Sequence, residues 1–234
     1  MSTSISTDCK LLLYADDSAI LYSHRNPEVI SSKLGKELQS CSHWLVDNKL
    51  SLHLGKTECL IFGSKRKLKR VKEFSITCNE HSISSQNSVK YLGLNIDQFL
   101  SGDIVVQNII QKANSRLRFL YRHGKCLSEG SRKTLSMALI QCHFDYACSS
   151  WYAGLNKKLK DKLQVMQNKI IRFVKGLDIR TSFKYPVFAE VGFLNIENRV
   201  KQMRLNHVHR IFYNRCPNYM KKQDIVNIIF WFHQ

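Results

Sequence analysis

Tyr14-Ala15-Asp16-Asp17 stands between two short apolar runs, Lys10-Leu11-Leu12-Leu13 and Ser18-Ala19-Ile20-Leu21-Tyr22. Two such runs joined by a small residue and carboxylates read as a β-hairpin, with the aspartates at its tip. Adjacent carboxylates at a tight turn repel and raise one another's pKa. A divalent ion removes that cost, and Mg²⁺ prefers carboxylate oxygens together with substrate phosphates. The arrangement therefore points to two-metal phosphoryl transfer, in which one ion activates the attacking hydroxyl and the other steadies the leaving oxygen. Asp-Asp is also common in solvated turns, so the turn alone leaves both readings open.

Outward from the hairpin, Asn26-Pro27-Glu28 is a helix start: a capping Asn, Pro at the first helical position and an acid in the first turn. Ile30, Leu34, Leu38, Cys41 and Leu45 follow at helical spacing, which predicts a helix fading near Asp47-Asn48 with one face on a sheet. Strands are expected at about Glu58–Phe62, Phe74–Cys78 and Val89–Ile96, with the basic run Lys65–Arg70 as a solvated loop. Beyond residue 100 the period changes to 3.6. Asp103–Arg122 turns Val106, Ile109, Ile110, Ala113, Leu117 and Leu120 to one side. Ser128 caps a helix with Leu135, Ala138, Leu139 and Cys142 inward, and Asn156 caps one with Leu159, Leu163, Met166, Ile170 and Phe173 inward. A last helix starts near Asn195 with Ile196, Val200, Met203, Val208 and Ile211. The expected organisation is α+β: a sheet-based module over 1–100, a helical region over 101–223 and a poorly patterned tail over 224–234.

The net charge is +18 on 234 residues. It is uneven: 13 Lys/Arg against 10 Asp/Glu in residues 1–101, and 23 against 8 in 102–234. That asymmetry points to a polyanionic partner, nucleic acid before an anionic membrane. Arg116, Arg118 and Arg122 share one helix, and Lys157, Lys158, Lys160, Lys162, Lys169 and Arg172 another. Such clusters track phosphates in a salt-dependent, sequence-neutral way, though a charged helix face is equally a solvated face. Gln167-Asn168 can read bases or join helices. The eight cysteines include no Cys-x-x-Cys pair and several lie in apolar segments, so reduced thiols are expected. No run approaches the ~20 apolar residues of a membrane span, and Met1–Thr7 lacks a signal-peptide core, so an intracellular, cytoplasmic or nuclear, protein is expected. His207, His209 and Cys216 are a poor zinc set, because residues two apart on a helix diverge.

The ordered set of motifs resembles a known family. The hairpin is followed by Trp44-Leu45-Val46-Asp47-Asn48-Lys49-Leu50, then Leu52-His53-Leu54-Gly55-Lys56-Thr57 and the apolar Leu60-Ile61-Phe62-Gly63, then Val89-Lys90-Tyr91-Leu92-Gly93-Leu94-Asn95-Ile96-Asp97. This order is similar to the palm of reverse transcriptases from the catalytic hairpin to the primer grip. Tyr146, Trp151-Tyr152, Leu163-Gln164, Gln167 to Arg172, Val191-Gly192-Phe193-Leu194 and Arg199 are similar to the helical region that follows in non-LTR, LINE-type retrotransposons. His53 departs from the family's usual Asn. The resemblance implies a partial palm, an antiparallel sheet with one packed helix, followed by an all-α thumb and post-thumb region. It implies RNA-directed DNA polymerase activity with Mg²⁺, an RNA template, a DNA primer or target and deoxynucleoside triphosphates. Asp16 and Asp17 would ligate metal, and Tyr14 would support the primer end or the hairpin. Lys56 would approach the triphosphate, or be only a surface lysine. Leu92 and Gly93 would shape the primer grip, with Gly93 supplying a positive φ or a β-bulge. Such enzymes need a third carboxylate on a strand upstream of the hairpin, and Asp8 lacks that context. The expectation is a chain inactive alone, with a catalytically dead, basic nucleic-acid-binding remnant as the alternative.

Overall fold

The computed structural model describes residues 6–71, 73–124, 126–178, 180–182 and 186–213. They form a mixed α+β protein in two compact units, with the border between Ser101 and Gly102. No helix among the described residues is long and apolar enough to cross a membrane. The tail over 224–234 and Cys216 lie outside the described residues.

The first unit holds three separate antiparallel hairpins. β1 (Lys10–Tyr14) pairs β2 (Asp17–Leu21), β3 (Ser75–Cys78) pairs β4 (His81–Ser84), and β5 (Ser88–Tyr91) pairs β6 (Leu94–Asp97). The strand expected over Val89–Ile96 is thus a hairpin. Leu92 and Gly93 both have positive φ, 45° and 81°, as a type I′ turn demands, and the chain reverses there. Gly93 does supply a positive φ, but in a turn, not a bulge. The strand expected over Glu58–Phe62 does not form a ladder. It leaves one isolated bridge, Cys59 to Ser85, just past the end of β4. Lys65–Leu68 is a short helix, α2, and not a loop, since the Ser64 hydroxyl accepts from the Lys67 N–H and caps it.

The helix α1 (Pro27–Asp47) begins as the sequence predicts, with the Asn26 side chain accepting from the Glu28 N–H. It lies along β3. The Ser31 hydroxyl donates to the Ser75 carbonyl, Asn79 Nδ2 donates to Ser42 Oγ at 3.1 Å, and Cys41 and Cys78 are buried between them. The close approach depends on Gly35: a Cβ there would stand 2.9 Å from the Thr77 carbonyl oxygen. Alanine in a helix interior gains about 1 kcal/mol over glycine. Pressing a methyl group onto fixed backbone costs about 1–3 kcal/mol. Gly35→Ala is therefore expected to destabilise the first unit despite its better helix propensity. A lowered urea midpoint checks this, and a raised one would refute the tight seat.

Glu37 on the same helix is 6% exposed. Burial alone would push its carboxyl up, but the Ser6 hydroxyl, the Ser6 N–H and the Lys33 ammonium together hold it below the ordinary range. A depressed folded pKa gives stability that is present above the unfolded value of about 4.3 and lost as pH falls through the folded one. The first unit is expected to weaken across that acidic window, and Ser6→Ala to flatten the dependence. Urea titrations at several acidic pH values read both slopes. Burial also pushes the Cys59 thiol up to about 11, which leaves it unreactive at neutral pH.

The second unit is helical: α3 (Asp103–His123), α4 (Glu129–Ser136), a wide π-turn over Met137–Gln141, α5 (Cys142–Asp145), α6 (Cys148–Trp151), α7 (Lys157–Lys175), α8 (Pro186–Val191) and α9 (Ile196–Phe212). Ser128, Asn156 and Asn195 cap α4, α7 and α9 through side-chain oxygens, as the sequence predicts. The core is α7 packed among α3, α4, α8 and α9. Its inward residues Leu159, Leu163, Met166, Ile170 and Phe173 are buried, together with Val106, Ile109, Ala113, Leu117 and Leu120 of α3. Ile110 is only half-buried. The face of α4 and its continuation differs from the expectation. Ser136, Ile140, Gln141 and Phe144 are buried, while Ala138 and Cys142 are exposed. The π-turn widens the helix, so a spacing of four keeps one face inward where 3.6 would have rotated it.

Candidate functional site

At the tip of the first hairpin, Tyr14 pairs with Asp17 and the chain turns through Ala15 and Asp16 alone. Ala15 sits at φ 51°, a left-handed conformation that costs a side-chain-bearing residue about 1–2 kcal/mol. The turn thus brings Asp16, its second residue, and Asp17, the first residue of β2, to the corner of the hairpin. Asp16 and Asp17 are both exposed, Tyr14 is 66% exposed and Leu13 55%. The flanking sequence predicts a pair held between apolar strands. In the structure water solvates it, so its repulsion is screened and does not by itself require an ion. Both carboxylates remain accessible to one. Among the described residues no group of three His, Cys, Asp or Glu side chains stands ready to hold a metal. Lys56 ends a 3₁₀ turn over Leu54–Lys56 and is exposed. Among the described residues, no hydrogen bond or ion pair joins it to the hairpin. Leu92 and Gly93 form the separate turn described above.

The basic residues of the helical unit divide by helix geometry. Arg116 and Arg118, two residues apart, point about 200° away from each other. Arg116 and Lys112 lie on the side of His143, whose imidazole is held below its usual range by burial first and then by these two cations. Arg118 and Arg122 are exposed on the opposite flank. On α7, Lys160 turns away from the other lysines and sits 5.2 Å over the Tyr152 ring. Arg172 is half-buried and its Nε donates to the Thr181 carbonyl at 2.9 Å, so it fastens the loop after α7. Neither matches the phosphate contact expected from the sequence. Lys157, Lys158, Lys162 and Lys169 do converge. They ring a groove of about 880 Å³ between α3 and α7, faced by Gln107 and Gln111. The groove's floor is Val106, Ile110, Leu159, Val165 and Met166. Of these, Val106, Leu159 and Met166 are buried core residues, as their spacing predicts, while Ile110 is half-buried and Val165 exposed. Val165, which lies off that face in the middle of the lysines, was the one local sign of an open apolar strip.

Gln167 is fully buried and donates from Nε2 to the Leu194 carbonyl, while Gln164 Nε2 donates to Gln167 and Asn168. These amides join α7 to the start of α9 and are not free to read bases. One polar cluster was not anticipated. Arg199 of α9 meets Asp145 of α5 through two bonds, Nε to Oδ1 at 3.2 Å and a terminal nitrogen to Oδ2 at 2.9 Å, and Gln141 also donates to Asp145. Such a pair separated by 54 residues leaves no periodic trace in sequence. His207 and His209 are both exposed, and the His209 ring packs 4.4 Å from Tyr213.

Comparison of this chain with family models, with curated proteins and with solved structures finds no match in any of the three.

Proposed function

We propose that this chain is part of an RNA-directed DNA polymerase of the non-LTR retrotransposon type, a partial palm followed by thumb and post-thumb helices. The observation that carries the reading is the hairpin tip. Two neighbouring carboxylates, Asp16 in a two-residue turn with a strained first residue and Asp17 at the start of β2, are both exposed, as ligation of a metal and a phosphate would require. In this reading Asp16 and Asp17 ligate Mg²⁺, Lys56 neutralises the triphosphate, and Tyr14, Leu92 and Gly93 position the primer end. Arg118 and Arg122, both facing water in a half of the chain carrying +15, supply salt-dependent contact to the RNA template and DNA primer. The second reading, a basic nucleic-acid-binding protein without catalysis, is supported by the same charge.

Primer extension on an RNA template with Mg²⁺ separates them. Extension that disappears in Asp16→Ala establishes the hairpin as a working site. Salt-sensitive binding of the primer–template by both proteins, with no extension, leaves the second reading. Neither extension nor binding would sink both.

A further inference from the structure

We propose that the groove between α3 and α7 docks an acidic amphipathic helix of a partner protein. Its floor is apolar and its rim is cationic, and the two are built on one strip of α7. Lys158, Lys162, Val165 and Lys169 recur at i, i+4, i+7 and i+11, so they line up along about 16 Å of helix, three turns. Val165 stands in the centre of that strip and is 55% exposed. The facing wall carries Gln107 and Gln111, neutral donors that leave the charge of the groove to the lysines.

A nucleic-acid backbone makes poor use of this arrangement. Phosphates and sugars are polar and would gain nothing from Ile110 and Val165, the apolar side chains of the groove that remain accessible. Among the described residues that line the groove there is no aromatic ring on which a base could stack. An amphipathic helix uses every part. Leucine-like residues at i, i+3, i+4 and i+7 fill the floor, and acids on either flank reach the lysines. Four lysines against the single Asp161 set the sign of the partner. Asp161, at the outer edge, disfavours an acid at one position and so gives the docked helix a register. This inference does not depend on the hairpin being catalytic.

The test uses the full chain and a fluorescein-labelled designed peptide of about four helical turns, with Leu at the i, i+3, i+4, i+7 positions and Glu elsewhere. Anisotropy is expected to show saturable binding. Val165→Glu, and separately the pair Lys158→Glu with Lys162→Glu, should each weaken it by about tenfold or more, as spoiling the centre of an interface does. Arg118→Gln, outside the groove, should leave it unchanged. All these positions are exposed, and circular dichroism confirms that the variants fold. A peptide of the same pattern with Lys for Glu should not bind. The proposal is overturned if the acidic peptide fails to bind. It is equally overturned if Val165→Glu leaves binding intact, or if the groove variants abolish RNA binding while the peptide is ignored. Loss of RNA extension or binding in Asp16→Ala or Arg118→Gln bears on the polymerase reading alone.

Discussion

Truncating Leu163 to alanine should lower the stability of the helical unit by about 3–5 kcal/mol. Leu163 is fully buried in α7, the helix that packs against α3, α4, α8 and α9. α7 is hemmed in by four other helices, which limits how far the surroundings can collapse into the void. The lost transfer energy and the residual cavity therefore add. Small domains are held by only about 5–15 kcal/mol, so the variant would lose a large share of the total. Native-state hydrogen exchange reads this directly. Amides at the centre of α7 should exchange about a hundredfold faster or more, since each 1.4 kcal/mol is a factor of about ten. Unchanged protection would mean that α7 is not the centre of this unit.

Asp145→Ala should cost about 2–3 kcal/mol, for a different reason. The paired side chains are 18% and 33% exposed for Asp145 and Arg199, so the pair is only partly desolvated. Removing one partner of a buried pair costs about 3–5 kcal/mol. The remaining access of Arg199 to water brings that figure down. Gln141 would lose its acceptor at the same time. The prediction has a sharper second half. Asp145→Leu combined with Arg199→Met should recover most of the loss, because no uncompensated charge is left behind. Thermal melts of the wild type, the two single variants and the double variant form the cycle. A double variant as weak as the singles would show that the pair itself, and not the orphaned charge, holds α5 to α9.

What could be read from the sequence was what is local. The caps at Asn26, Ser128, Asn156 and Asn195 depend on one side chain and an N–H two or three residues on. The inward faces of α3 and α7 follow from a period of 3.6, whereas on α1 Cys41 alone of the expected apolar face is buried, beside Gly35, Glu37 and Ser42. The first hairpin follows from apolar runs flanking a polar corner. The features that escaped the sequence lack such a signature. β4 is His81-Ser82-Ile83-Ser84, with one apolar residue, and its turn uses Asn79 and Glu80, both at positive φ. Leu92 is an unusual residue for a left-handed turn, and it hid the reversal inside Val89–Ile96. The basic clusters were grouped by the helix they share, whereas only direction around the helix decides which charges meet. That is why Lys160, Arg116 and Arg172 separate from the lysines of the groove. The corner at Tyr14–Asp17 is legible as a turn, but its exposure could not be read from flanking leucines, since Leu13 itself faces water.

The tight seat of α1 on β3 also orders events in time. Each of the three hairpins closes across two residues, and hairpins of that kind form in roughly 1–10 μs. Joining Ser31 to Ser75 must instead close a loop of 44 residues, for which the entropy is lost before any contact compensates it. Docking of the helix is thus the expected kinetic bottleneck of the first unit, and Gly35 lies at its centre. In stopped-flow experiments Gly35→Ala should slow folding while leaving the unfolding limb nearly unchanged, whereas faster unfolding at an unaltered folding rate would place the docking after the barrier. The aspartate turn is then assembled early, on a chain whose larger contacts have yet to form.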